Sequence, residues 1–222
     1  MTSQKDQYVV LGHWTPKPGC EQQLIAALEP VLSYVRSRPE EVLCYYLLQE
    51  IQVEGAPGIR AVGLFSNIDA YKSYKSSSAL TNLATLCREK DLLSSAQVDQ
   101  VVVPKTGFAY RPTPPPSDIT PYIVTARVRY KPGLRPQGIK HWTETASAVE
   151  KHELDTYGYW FLADTDDEDV LWSFEIYKDK DFLWDVHVPS PPLVKNKEAQ
   201  KDIRVAEALN LRFWKLVANS RA

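Results

Sequence analysis

Lys131-Pro132-Gly133, at the end of the strand-like run 122–130, repeats Lys17-Pro18-Gly19, which follows the run 8–15, at a distance of 114 residues. The same offset carries Cys44-Tyr45-Tyr46-Leu47-Leu48 onto Gly158-Tyr159-Trp160-Phe161-Leu162. Farther along it drifts to 112, where Leu64-Phe65 and Asp69 meet Ile176-Tyr177 and Asp181, so the intervening loops differ by two residues. Two landmarks in one register mark a duplication. A unit of about a hundred residues is too long for a solenoid repeat and suits a small domain fused to its own copy.

Outward from these landmarks each copy reads βαββαβ. In the first, the run 8–15 is rich in β-branched and aromatic residues, and Pro16 to Gly19 turns the chain into a helix. Leu24, Leu28, Val31 or Leu32, and Val35 recur at helical spacing, so 21–37 is an amphipathic helix that Pro30 kinks. Strands follow at 43–49 and 58–65, helical character resumes at Ile68, and a fourth strand covers 98–103. The second copy gives a strand at 122–130, a helix carrying Ile139, Trp142, Ala146 and Val149, strands at 157–163 and 171–177, a helical stretch at 182–187 and a last strand at 211–217. The expected domains are 1–103 and 122–222. The connector 104–121 holds Pro112, Pro114, Pro115, Pro116 and Pro121, a composition that favours stiff, extended backbone.

A βαββαβ unit of ferredoxin-like type makes a four-stranded antiparallel sheet with both helices on one face and the other face bare. Here 43–48 and 157–162 are apolar or aromatic at nearly every position, so both faces need cover. Two copies in one chain achieve this by pressing their bare faces together. The expected fold is α+β, an intramolecular dimeric α+β barrel with a cavity between its sheets.

With 222 residues, 44% hydrophobic and 11% aromatic, the chain has ample material for a core. A net charge of −2 with scattered basic residues gives no electrostatic basis for a nucleic-acid or anionic-membrane partner. The amino-terminal stretch 1–7 is polar and no run approaches the ~20 apolar residues that cross a bilayer, so a soluble, cytoplasmic protein is expected. Cys20, Cys44 and Cys87 lack metal-ligand spacing and read as free thiols. There is no Gly-rich dinucleotide fingerprint, no phosphate loop, no paired His or Cys ligand motif and no nucleophile elbow. An enzyme on this chain is therefore expected to use no nicotinamide, flavin or tightly bound metal.

Residues 171–190 place Glu175 on a strand, Tyr177 two residues later, then a short acidic turn and a helical stretch with Phe182 and His187 before Ser190. This pattern, with the Lys131-Pro132-Gly133 turn, resembles the antibiotic biosynthesis monooxygenase family of dimeric α+β barrels. The resemblance covers 121–218 and, more loosely, 7–103. It is specific as to fold and weak as to activity, because the same barrel hosts several chemistries. It implies a cofactor-independent monooxygenase or related tailoring enzyme for a small, hydrophobic, aromatic polyketide-like substrate, with dioxygen as partner. A non-oxidative isomerase, cyclase or lyase, a non-catalytic binding barrel, and further homodimerisation of the fused barrel stay open.

Alternation along strands puts Ser173, Glu175 and Tyr177 on one face, expected to line the cavity, with Trp172, Phe174 and Ile176 on the other. Thr125, Arg127 and Arg129 likewise oppose Val124, Ala126 and Val128, which read as the helix-packed side. Arg127 is a candidate for holding an anionic substrate oxygen, or for a structural ion pair with Glu175. His187 is a candidate base near neutral pH, or a helix-ending residue bonded to a carboxylate such as Glu175. His13, at the position of Arg127 in the first copy, is a weaker candidate, whereas His141 and His152 read as surface residues. The catalytic set is His187, Glu175 and Arg127; the substrate-binding set is Tyr159, Trp160, Tyr177, Ser173, Thr125 and His13. At the 112 offset the first copy has Gly63 opposite Glu175 and Lys75 opposite His187, so the carboxyl-terminal copy is expected to work and the amino-terminal one to support it.

Overall fold

The computed structural model describes residues 7–51, 53–95, 98–113, 115–116 and 118–220. Pro114 of the connector and most of the polar amino-terminal stretch, residues 1–6, lie outside the described residues. The strands are β1 (Tyr8–Trp14), β2 (Val42–Ile51), β3 (Ile59–Phe65), β4 (Val98–Phe108), β5 (Tyr122–Arg129), β6 (Thr156–Asp164), β7 (Val170–Tyr177) and β8 (Asn210–Asn219). The fold is α+β, a tandem of two ferredoxin-like βαββαβ units.

Among the described residues, one compact unit comprises those within 7–101 together with 216–220. β3 lies between β1 and β2, antiparallel to both, with Val10 and Tyr45 each opposite Gly63. The single kinked helix expected over 21–37 is two, α1 (Glu21–Ala27) and α2 (Glu29–Arg36), which divide at Leu28. Pro30 sits in the first turn of α2, where its missing N–H costs nothing. Helix α3 (Ile68–Lys75) starts at Asn67, whose Oδ1 accepts from Asp69 N at 3.0 Å and Ala70 N at 2.9 Å. Ser77 opens α4 (Ser78–Glu89). Leu24, Leu28, Val31 and Val35 pack with Trp14, Leu47 and Phe65 in one buried cluster, so the helices cover the face bearing Val10, Trp14 and Tyr45.

The second unit comprises residues 102–215. Its strand order is β8-β5-β7-β6-β4, all neighbours antiparallel. β4 runs five residues beyond the expected end at Val103, through Pro104, and pairs Phe108 with Tyr159. Helix α5 (Arg135–His152) buries Trp142, Thr145, Ala146 and Val149, positions three and four apart that form one face. After β7 come a single π-helical turn, Phe182–His187, and α6 (Pro191–Gln200), a helix the apolar periodicity did not reveal. α6 turns Leu193, Asn196 and Gln200 inward, so two of its three buried side chains are polar. Gly19 and Gly133 end their matched turns at φ +83° and +75°, a left-handed conformation in which a side chain would be strained.

Candidate functional site

The pairing register of the second unit decides which side chains can meet. Tyr159 lies opposite Glu175 and Phe161 opposite Ser173, so these four share a face. Trp142 of α5 stacks on Phe161, with ring centroids 4.2 Å apart, and meets Tyr159 edge-on at 6.3 Å. The face of Ser173, Glu175 and Tyr177 is therefore the helix-covered one, not the opposite face that the alternation was expected to give them. Val124 and Ala126, read correctly as helix-packed, are the partners of Glu175 and Ser173.

Arg127, Thr125 and Trp160 lie on the other face, where Arg127 is opposite Trp172, and Thr125 and Trp160 are both opposite Phe174. The expected Arg127–Glu175 ion pair does not form, because the sheet separates the two side chains. Arg127 instead lies 3.6 Å from Asp167, which also pairs with Arg129. Thr125 Oγ1 accepts from Trp214 Nε1 at 2.9 Å. His13 belongs to the first unit, on β1 opposite Arg60. Of the residues singled out in the sequence, the structure brings together His187, Tyr159, Tyr177 and Glu175, with Ser173 on the same face of the sheet.

His187 is the centre of this group and is only 2% exposed. The π-helical turn that carries it is closed by Val188 N donating to Leu183 O at 2.9 Å, a bond spanning five residues. Such a turn holds one residue more than an α-helical turn and rotates the chain beyond it. The imidazole packs against Tyr177 and Tyr159, with centroids at 4.9 and 5.1 Å. Its carboxylate partner is Glu153, not Glu175: Nδ1 lies 2.7 Å from Glu153 Oε2, which also accepts from Thr156 Oγ1 at 3.1 Å. Glu175 instead accepts from the Tyr177 hydroxyl at 2.6 Å.

Burial works against the charge on Glu153, but the His187 hydrogen bond, the His187 charge and the Thr156 hydroxyl together outweigh it and hold the carboxyl below its ordinary value. Glu153 is thus the acceptor of the pair, and the shared proton lies on Nδ1 of His187. Burial first, and then the charge of Glu175, push the Tyr159 and Tyr177 phenols well above their ordinary value, so both are neutral donors. The Ser173 hydroxyl, on the same face, is buried without a hydrogen-bond partner. Glu153 and Thr156 escaped the sequence reading because they flank a short turn between α5 and β6, outside any motif. One signal was present: an acidic side chain ending a helix opposes the helix dipole and calls for a compensating partner.

A second polar cluster fastens α6 to α5. Tyr130 Oη accepts from Trp142 Nε1 at 3.0 Å and donates to Gln200 Oε1 at 2.8 Å, while Asn196 Nδ2 donates to Thr145 Oγ1 at 2.8 Å. Gln200 Nε2 and an Nη of Arg204 both donate to Asn196 Oδ1, at 2.6 and 3.1 Å. Its members satisfy one another, which marks it as structural. Among the described residues, no group of three or more His, Cys, Asp or Glu side chains could hold a metal ion, and no helix is long and apolar enough to cross a membrane.

No protein-family model matches this sequence, and no curated protein matches it. Solved structures do. A protein from Fusobacterium nucleatum, designated a candidate monooxygenase, superposes with a TM-score of 0.82 at 11% identity, over 96% of this chain and 94% of its own. One from Lactobacillus acidophilus with the same designation gives 0.77 at 11% identity, over 97% and 94%. An anthrone oxidase-like protein gives 0.67 at 8% identity, over 99% and 94%. The chain has the tandem α+β fold of these proteins.

Proposed function

We propose that this chain, built on the fold of the tandem monooxygenase-like barrels, is a proton-abstracting enzyme: a cofactor-independent monooxygenase, or a related tailoring enzyme, for an electron-rich polycyclic phenol. The observation that carries the reading is the buried His187–Glu153 pair, 2.7 Å apart and packed against two neutral tyrosines. A carboxylate accepting from Nδ1 orients the ring and stabilises the imidazolium that forms when Nε2 takes a proton. Tyr159 and Tyr177 offer flat apolar surface for an aromatic ring, and the Tyr159 hydroxyl can donate to a developing oxyanion. The deprotonated substrate passes an electron to dioxygen; overall, an activated CH2 and O2 become a C=O and water. The anthrone oxidase-like name of one structural neighbour agrees with this substrate class.

Oxygen uptake with an anthrone-type substrate in metal-stripped buffer tests the reading. One dioxygen consumed per carbonyl formed, with the activity lost in His187→Ala, is the expected result. No uptake across a panel of anthrones and polycyclic phenols overturns it. A non-oxidative isomerase, cyclase or lyase would use the same base, and product mass separates it, since only the oxygenase adds oxygen. The deep burial of His187 favours one further reading, a non-catalytic barrel in which His187 and Glu153 clasp the π-helical turn to α5. In that case His187→Ala lowers stability and there is no turnover to lose.

A further inference from the structure

Arg111 stands in the segment after β4, remote in sequence from the residues of the His187 group. Its guanidinium donates from Nε to the Thr156 carbonyl at 2.7 Å and from one Nη to the Glu150 carbonyl at 3.0 Å. The other Nη reaches the Glu153 carbonyl at 3.0 Å and the Val149 carbonyl at 3.4 Å. Phe108 supports it, with the guanidinium carbon 4.8 Å from the ring centroid. One side chain thus binds the last turn of α5 and the first residue of β6. Between these anchors is the turn from Glu153 to Thr156, whose two end side chains hydrogen-bond each other at 3.1 Å.

That turn poses an electrostatic problem. The final carbonyls of a helix have no partners within it, and the negative end of its dipole disfavours a nearby carboxylate such as that of Glu153. A guanidinium supplies both donors and positive charge there, and its rigid fork reaches several carbonyls at once, which a lysine ammonium on a flexible stem does not. We infer that Arg111 is the positioning residue of the His187–Glu153 pair: by fixing the turn that aims the Glu153 carboxylate at Nδ1, it sets which imidazole nitrogen holds the proton. The catalytic consequence rests on the proposed role of His187 as base, but the positioning itself does not. Arg135 provides a matched control. Its guanidinium donates to the carbonyls of Asp164, Asp167 and Val170, each at 3.0 Å, in the same unit but at no residue of the pair.

The test is the exchange of the His187 Nδ1 proton with solvent, read by NMR and assigned by its loss in His187→Ala; no substrate is required. In wild type this proton should be protected. Arg111→Ala should speed its exchange by about tenfold or more, the signature of a locally opened hydrogen bond, with Arg111→Lys between the two. Arg135→Ala should leave the exchange as in wild type even as it lowers Tm. Unchanged exchange in Arg111→Ala, or equal acceleration in Arg111→Ala and Arg135→Ala, would make Arg111 a general brace and overturn the inference, as would an unprotected proton in wild type. If Arg111→Ala does not fold, Arg111→Lys against Arg135→Ala decides in the same way. Turnover in His187→Ala is a separate measurement, so failure of this inference and failure of the proposed function read out independently.

Discussion

Tyr74 occupies in the first unit the place that His187 occupies in the second. Tyr74 packs on Phe65 and Tyr45, with centroids at 5.0 and 6.0 Å; His187 packs on Tyr177 and Tyr159, the matching residues, at 4.9 and 5.1 Å. The 112 offset had set Lys75 opposite His187, but the π-helical turn inserts one residue and moves the match to Tyr74, leaving Lys75 exposed. Where the second unit has an imidazole bound to a carboxylate, the first has a hydroxyl pair, Tyr45 and Tyr74, with oxygens 2.9 Å apart. Burial raises both phenols above their ordinary value, so neither is suited to take up a proton near neutral pH.

The proposed activity should therefore be one-sided. His187→Ala is expected to lower turnover by at least about 100-fold, the scale for losing a positioned base, while Tyr74→Phe leaves turnover within about twofold. Steady-state kinetics on both variants checks this. Comparable losses from the two substitutions would sink the assignment of the chemistry to the second unit.

Glu153 predicts an acid limb of stability. Because folding holds its carboxyl below the ordinary value, its stabilising contribution is complete above the ordinary carboxylate range, near pH ~4.3, and is lost as pH falls through the lower folded value. Glu153→Gln cannot titrate, so its stability should vary less than wild type over that acid interval. Urea unfolding followed by circular dichroism from about pH 3 to 6 measures it. Parallel pH profiles for the two proteins would show that the His187–Glu153 pair is not linked to folding.

Gly63 closes the first unit to the carboxylate that the second carries at Glu175. A Cβ built there would lie 3.0 Å from Tyr45 Cδ2 and 3.0 Å from Phe65 Cε2. Gly63→Ala should destabilise the protein by about 1–3 kcal/mol through overpacking, and Gly63→Glu by more. Chemical denaturation of both variants is the check; a Gly63→Glu protein as stable as wild type would mean that this space is open after all.

Arg127 should matter little to turnover, because the sheet lies between it and Glu175. Arg127→Ala is expected to change kcat/KM by less than about threefold and stability by about 1 kcal/mol or less, the usual range for a partly exposed ion pair such as Arg127–Asp167. A loss of 100-fold or more in kcat/KM at unchanged stability would return Arg127 to the catalytic set.

The duplicated register was legible in the residues themselves, and it carries over to the pairing: Val10 and Tyr45 meet Gly63 as Val124 and Tyr159 meet Glu175. So were the two faces of β5, because period-two alternation is a local property of an extended chain. The face to which Glu175 and Tyr177 belong was not. Alternation along β7 says only that Ser173, Glu175 and Tyr177 agree with one another; their register against Val124 and Tyr159 decides which way they turn, and hydrogen bonds between distant strands set that register. α6 was hidden because its buried face carries Asn196 and Gln200, whose polarity is satisfied by Thr145, Tyr130 and Arg204 from other parts of the chain.

His187 stood out in the sequence as the histidine of the helical stretch 182–187, within the 171–190 pattern that carries the family resemblance. Its partner could not be read there. Glu153 lies 34 positions away, and the two meet where the end of α5 comes against the π-helical turn. The sequence determined the repeat, the order of the elements and the residue able to hold a proton. Only the tertiary structure decided the carboxylate that orients it, the arginine that braces that carboxylate and the face of the sheet on which they act, because each of these depends on contacts between segments that local periodicity leaves independent.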